Sequence, residues 1–273
     1  MPQLHFALFL LPLFVALAAL EGGYLQMIKR EAYDWRAFFA SAGDAVGRLL
    51  INRVVGFGLA AGLFAYVARH RIGDVSMDRW WSWPLLLLVQ DFCYYWLHRA
   101  DHRVRWLWAT HAVHHSSNAY NFSAAYRLGW TSGLSGGALF FAPLVWIGFP
   151  LVAVLGAVAL NLFYQFFLHT ELVPRLGPLE WIFNTPRHHR LHHASNPEYI
   201  DRNFGGVLIV FDRLFGTHAR DIDGVRCRFG LSKPLRVYNP ARIALHEWIN
   251  LGRDLRCIPS LRAAARTLLG PPK

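Results

Sequence analysis

The stretch Ser132-Gly-Leu-Ser-Gly-Gly-Ala-Leu-Phe-Phe-Ala-Pro-Leu-Val-Trp-Ile-Gly-Phe-Pro-Leu-Val-Ala-Val-Leu-Gly-Ala-Val-Ala-Leu-Asn-Leu-Phe-Tyr-Gln-Phe-Phe-Leu168 runs for 37 residues without a charged side chain. One membrane crossing takes about 20 apolar residues, so the stretch has the length of two helices. Gly148-Phe149-Pro150 stands near its middle and suits a tight turn between them. Three more apolar runs lie upstream. Trp80–Leu97 contains Gln90 and Asp91, Leu49–Ala68 has Asn52 and Arg53 near its start, and Leu4–Leu20 is interrupted by His5 and Pro12. No Lys or Arg precedes Lys29 and no small-x-small cleavage site stands out. The first run therefore reads as a membrane helix and not as a signal peptide.

Composition agrees. The chain has 273 residues, 54% hydrophobic and 16% charged, whereas soluble domains are about a quarter charged. Disorder is excluded by the hydrophobicity. The net charge of +11 fits basic loops facing an anionic cytoplasmic leaflet, not nucleic acid. Sixteen of the 28 Lys+Arg fall between Arg175 and Lys273, where the chain becomes polar. Phe204–Phe215 is too short to span and reads as a packing or membrane-surface segment. Pro240–Lys273 has a basic amphipathic pattern. Three scattered cysteines give no disulfide framework and no CxxC knuckle. The expected fold is all-α: an integral membrane bundle of about four or five membrane helices with a cytoplasmic, histidine-rich cap. Its expected parts are N-terminal membrane helices (1–80), a catalytic unit (81–220) and a basic C-terminal tail (221–273).

Nine of the fourteen histidines fall in three places. His98-Arg-Ala-Asp-His102 is an HxxxH, His111-Ala-Val-His114-His115 is an HxxHH, and His188-His189-Arg-Leu-His192-His193 contains a second HxxHH. On a helix, positions i, i+3 and i+4 share a face, so each group can point to one place. His169 ends the last apolar run. A hairpin over 132–168 returns the chain to the side where His98 lies, so all four groups converge on one membrane face. Arg99, Arg103, Arg105, Arg187 and Arg190 put that face in the cytoplasm. His5, His70, His218 and His246 stand apart and read as structural.

Neutral imidazole is the commonest protein metal ligand, and eight to ten of them exceed one tetrahedral zinc. Two metal ions fit the count. Nitrogen-rich sites suit iron, copper, nickel or zinc, and spacing alone leaves iron against zinc open. His246-Glu247-Trp-Ile-Asn250 lacks the second histidine of a zinc protease. The Glu-x-x-His pairs of carboxylate di-iron bundles are missing. A metal transporter would hold its ligands at mid-membrane, not at helix ends.

At these residues the chain resembles the fatty acid hydroxylase/sterol desaturase superfamily of membrane di-iron oxygenases. Asp91-Phe-Cys-Tyr-Tyr-Trp-Leu-His98-Arg99, His114-His115-Ser-Ser-Asn118-Ala-Tyr120-Asn121 and Leu176-Gly-Pro-Leu-Glu180 resemble its alkylglycerol monooxygenase-like branch. Asn184-Thr-Pro-Arg-His188-His189-Arg-Leu-His192-His193, Asp201-Arg-Asn203 and Phe215-Gly-Thr217 continue the likeness. It implies an O2-dependent hydroxylase or desaturase acting on a lipid, with ether-lipid cleavage of the alkylglycerol type as the alternative. It further implies two iron ions and a place in a bacterial inner membrane. The ligands it suggests are His98, His102, His111, His114, His115, His169, His189, His192 and His193. His189 repeats the 111–115 spacing and is favoured over His188.

Breaking an unactivated C–H bond needs an oxidant that side chains lack and that a metal with O2 supplies. No GxGxxG is present, so electrons must come from another protein or a diffusible reductant. Asp91, seven residues before His98, lies near the same helical face and is expected to accept a hydrogen bond from a ligand imidazole. Asn118 and Tyr120 are further candidates beside the ligands, followed by Asn121, Glu171, Asn184, Asp201 and Asn203. The many Trp and Tyr residues of 80–108 anchor at the interface or line a channel for an acyl chain.

Overall fold

The structure is a computed structural model. It describes residues 2–55 and 58–272, with side chains over 10–54 and 60–272. Among these it is helical, and its only β pairings are two isolated bridges, Phe183 to Leu208 and Ala194 to Phe229. The first helices are α1 (Pro2–Met27), α2 (Trp35–Val55), α3 (Gly58–Arg69), α4 (Ser82–Arg103) and α5 (Arg105–His115). A single turn, α6 (Phe122–Ala125), leads to a short 3-10 helix at Gly137–Phe141, α7 (Ala142–Trp146) and α8 (Leu151–Phe166). A second 3-10 turn at Gly177–Trp181 precedes α9 (Pro186–His192), α10 (Val210–Leu214), α11 (Pro240–Arg256) and α12 (Leu261–Leu269).

The 37-residue uncharged stretch does turn at Gly148, whose φ of 118° is a left-handed conformation that glycine adopts freely. Its arms are shorter than the expected pair of full crossings. The first is ten helical residues, Gly137–Trp146, and the second is the sixteen of α8. The physical reason lies in Thr131-Ser-Gly-Leu-Ser-Gly-Gly137. Glycine is among the poorest helix formers, and 130–136 is a run of turns with Gly136 at φ 91°. Among the described residues one helix is long and apolar enough to cross a membrane alone, α1 over Leu10–Met27.

Two apolar cores flank α8. Leu86, Leu144, Val145, Phe149 and Val154 join α3, α4, α7 and α8. Ala18, Phe38, Ala45, Tyr126 and Phe166 join α1, α2, α6 and α8. Between α4 and α8 runs a polar zipper. The Asn161 amide donates to Gln90 at 3.1 Å and to Asp91 at 2.8 Å, Gln165 donates to Asn161 at 2.5 Å, and the Tyr94 hydroxyl donates to Gln165 at 2.9 Å. These residues recur one helical turn apart on both helices, which fixes the register of the pair. The outward faces stay apolar: Leu88 and Phe92 of α4, and Val152 and Leu160 of α8, are exposed. The basic tail packs α11 against α5 and α2 and α12 against α5. Buried Arg105 at the start of α5 donates to Glu247 at 3.3 Å and to Asp254 at 2.6 Å.

Candidate metal centre

Four elements bring nine histidines together in two adjoining clusters. His98, His102, His111, His115 and His192 form one, and His114, His169, His189 and His193 form the other. Within each cluster the potential donor atoms lie within 4.8 Å of one another. The two meet where the His115 and His193 rings stack at 4.4 Å. His188 belongs to neither cluster. Its ring faces His218 at 5.4 Å and its Nδ1 lies 3.4 Å from Thr185 Oγ1.

Neither HxxHH points to a single place, as sequence spacing had suggested. Successive helical residues are rotated by about 100°. His111 and His115, at i and i+4, share one direction, whereas His114 turns to the other cluster. On α9 the roles are exchanged: His189 and His193 face the four-ring cluster and His192 faces the five-ring one. Each short helix serves both clusters.

Backbone carbonyls fix the rings. A carbonyl can only accept, so the ring nitrogen beside it carries the proton. His98 Nδ1 donates to Phe204 O at 2.8 Å, His192 Nδ1 to Arg202 O at 2.8 Å, His169 Nδ1 to Gln165 O at 2.7 Å and His114 Nδ1 to Arg127 O at 3.2 Å. In a neutral imidazole this leaves Nε2 with its lone pair. Those lone pairs face one another. The Nε2 atoms of His98 and His115 lie 3.1 Å from that of His111, and that of His169 lies 3.1 to 3.2 Å from those of His114, His189 and His193. Buried His102 Nε2 and His192 Nε2 have no hydrogen-bond partner among the described residues. Imidazole binds a first-row ion such as zinc at about 2.0–2.1 Å. Neighbouring donors would then stand about 2.9 Å apart at right angles and about 3.3 Å apart at a tetrahedral angle. The donor set therefore fits cations. Burial, reinforced by the neighbouring rings, holds His111, His115, His189 and His193 well below the ordinary imidazole value. It lowers His114 to about 4 and His192 to about 3. All are neutral and ligand-competent near pH 7.

Asp91 does not touch an imidazole, contrary to expectation. Val207 N and Leu208 N each donate to it at 2.8 Å. Asp212 does the same for Phe204 N and Gly205 N, both at 2.7 Å. Two carboxylates thus clamp four amides of 204–208 and aim the Phe204 carbonyl at His98. Gly206 crosses directly over the polar zipper, where a Cβ would sit 2.6 Å from Asp91 Oδ1. Asn118 is also away from the rings: it is exposed and donates to Leu235 O at 3.1 Å. Tyr120 is buried with its ring stacked on His169 at 5.6 Å, but its hydroxyl is committed to Leu168 O at 2.8 Å. Asn121 caps α6, and Asn184 donates to Gly205 O at 2.6 Å. Asp201 and Asn203 are left-handed, at φ 60° and 56°, and between them present the Arg202 carbonyl to His192. Asp201 Oδ1 lies 3.5 Å from His102 Nδ1.

Sequence reasoning missed Asp101, whose Oδ2 lies 3.9 Å from His111 Nδ1. It missed Asp212, which a lone acid within the apolar 204–215 run could have signalled. It also missed Glu21 of α1, which accepts from Phe122 N at 2.6 Å and from Thr170 Oγ1 at 2.5 Å, beside His169. Of the histidines read as structural, His70 is exposed and bonds its own helix at Tyr66 O, and His246 does so at Ile243 O. His5 lies outside the described side chains.

A cavity of about 450 Å³ opens onto both clusters. Leu11, Phe14, Leu49, Leu162 and Phe163 supply apolar walls, and His111, His114 and His169 line it as well.

Residues 83–217 match the fatty acid hydroxylase family. Alkylglycerol monooxygenase from Xenopus tropicalis is 40% identical over 180 residues, 66% of this chain and 40% of that protein. The Danio rerio protein of the same name is 46% identical over 165 residues, 60% of this chain and 36% of its own length. Ornithine lipid hydroxylase OlsE from Rhizobium tropici is 34% identical over 142 residues, 50% of this chain and 43% of its own. The chain thus spans less than half the length of these relatives. No solved structure matches it. The segment 83–217, which supplies all nine clustered histidines, belongs to the fatty acid hydroxylase family.

Proposed function

We propose that this chain is a membrane-embedded, O2-dependent oxidoreductase that hydroxylates or desaturates a lipid. The observation that carries the reading is the apolar cavity lined by rings from both histidine clusters. His98, His102, His111, His115 and His192 would hold one iron ion, and His114, His169, His189 and His193 the other. Zinc would fit the donors but has no redox chemistry. Iron with O2 supplies the oxidant that an unactivated C–H bond requires. The chain's own residues do the rest. Phe14, Leu49 and Phe163 bind and align an acyl chain, and the apolar walls exclude water. The carbonyls of Phe204, Arg202, Gln165 and Arg127 keep each Nδ1 protonated and each Nε2 free to donate.

The exposed apolar faces of α1, α2, α4 and α8 support immersion in a bilayer. We assign four or five membrane segments before residue 169, with the basic residues near the clusters on the cytoplasmic side of a bacterial inner membrane. In this reading 1–80 anchors, 81–220 carries the chemistry and 221–273 braces it. Electrons come from a separate protein or a small reductant. A second reading, ether-lipid cleavage, is favoured by the two relatives named alkylglycerol monooxygenase.

Lipid analysis of cells with and without this protein, grown under heavy-isotope O2, tests both. A lipid gaining one labelled oxygen supports hydroxylation, loss of two hydrogens supports desaturation, and loss of an alkyl ether supports cleavage. No changed lipid and no label would leave a non-catalytic metal-binding or transport protein as the reading.

A further inference from the structure

Among the described residues, the cavity that we assign to the lipid carries one Lys or Arg on its wall. Arg48 of α2 lines it beside Leu49 and Ala45. Its Nε is buried without a hydrogen-bond partner, and the guanidinium makes no ion pair within 4.0 Å among the described residues. Arg48 is half-buried overall, and a cation held against apolar walls without an ion pair is unfavourable, so its guanidinium has bonding capacity to spare on the cavity side.

The countercharge that acts on it is not bonded to it. Asp44, one helical turn back, acts on Arg48 electrostatically, yet its Oδ1 is itself buried without a hydrogen-bond partner. That carboxylate accepts from Leu128 N at 3.1 Å and is shared with buried Arg127, whose own bonds go to neutral acceptors: Ser41 Oγ at 3.0 Å, Ser116 Oγ and Ala37 O. Two guanidiniums therefore face one carboxylate. The acid that lines the cavity among the described residues, Asp101, lies by His111. The α2 wall keeps an excess positive charge.

We infer that Arg48 binds the anionic headgroup, carboxylate or phosphate, of an amphiphile whose chain lies in the cavity. A planar guanidinium meets either oxyanion with paired hydrogen bonds. This rests on reading the cavity as the lipid site and makes Arg48 a determinant of substrate class.

The test is binding of hexadecanoate, hexadecyl phosphate and hexadecanol to the full chain in non-ionic detergent. The wild type should bind at least one of the two anions about tenfold more tightly than the alcohol, the weight of one charge-assisted hydrogen bond. Which anion binds tighter tells carboxylate from phosphate. Arg48→Gln should reduce the ratio to within about twofold, and Arg48→Lys, which keeps the charge but loses the planar fork, should give an intermediate ratio. Bound metal, measured on the same samples, should equal the wild type in both variants. If Arg48→Gln loses its metal or does not fold, the wild-type ratio decides. Equal binding of all three probes, or an unchanged ratio in a metal-replete Arg48→Gln, overturns the inference. Binding needs no turnover, so this outcome is independent of the labelled-oxygen experiment.

Discussion

His114 and His115 are neighbours in the chain and belong to different clusters, their ring centroids 5.6 Å apart and their planes at 85°. His192 and His193 repeat the relationship at 5.3 Å and 89°. A paired histidine at the end of each HxxHH thus reaches both clusters from one turn of helix.

Removing either ring of one pair should disturb a different cluster. In iron-loaded protein, His115→Ala should alter the spectroscopic signature of one iron environment and His114→Ala that of the other. Turnover should fall at least about 100-fold in both, more than is usual for lost outer contacts. Mössbauer spectra with iron counts check this. Identical spectra from the two variants would refute the division into two clusters.

His188→Ala is the complementary case. The ring sits against His218 outside both clusters, so iron content should stay within about 20% of wild type, with a stability loss of the ordinary surface-to-core kind, about 1 kcal/mol. A fall to one iron per chain would move His188 into the ligand set.

Asp91→Asn should act through the backbone. The new side chain keeps one acceptor oxygen, so its NH2 meets either Leu208 N or Val207 N, donor against donor, and a buried unsatisfied donor costs about 1–3 kcal/mol. Denaturant titration should show that loss, together with metal affinity weakened about 10–100-fold through His98. Gly206→Ala crowds the same carboxylate and should destabilise by about 1–3 kcal/mol. The two changes should be non-additive, because they share a contact. Full additivity would separate the loop from the zipper.

Asn203→Ala and Asn203→Gly differ in one respect. Asn203 donates to His188 O and Ala219 O, accepts from Ala219 N, and does so at a positive φ. The glycine variant loses the hydrogen bonds but not the backbone fit. The alanine variant loses both and should be less stable than glycine by about 1 kcal/mol. Thermal melts of both check the sign.

Ala159→Phe should shorten the cavity. The accepted acyl chain should become shorter, with KM for long chains rising at least about tenfold while iron content is unchanged. Competition between long- and short-chain substrates is the direct readout.

Much of this site was legible in the sequence because helical spacing is simple arithmetic. The three histidine groups and His169 were placed on one side of the bundle from the run lengths alone. What spacing could not give was the partition between clusters, since i+3 and i+4 look equivalent until a second helix is docked. Asp91 was noticed for the cost of an acid among apolar residues, yet its partner was misjudged. The loop that it clamps lies 116 residues downstream, and no local pattern connects the two. Asn118 stood beside ligands in sequence and points elsewhere because the chain turns sharply after His115. The short first arm of the hairpin was concealed by hydropathy, which counts glycine and serine as neutral and ignores their reluctance to form helix.

The carbonyls that hold His98 and His192 belong to Phe204 and Arg202, beyond the last histidine of the third motif. A chain ending at Ser195 would keep every clustered imidazole and still lose the means of aiming two of them. The working boundary of the centre is therefore set by main chain near Thr217, where Asp212 and Thr217 tie the loop shut, and a fragment or chimera built on the histidines alone would carry the donors without their orientation.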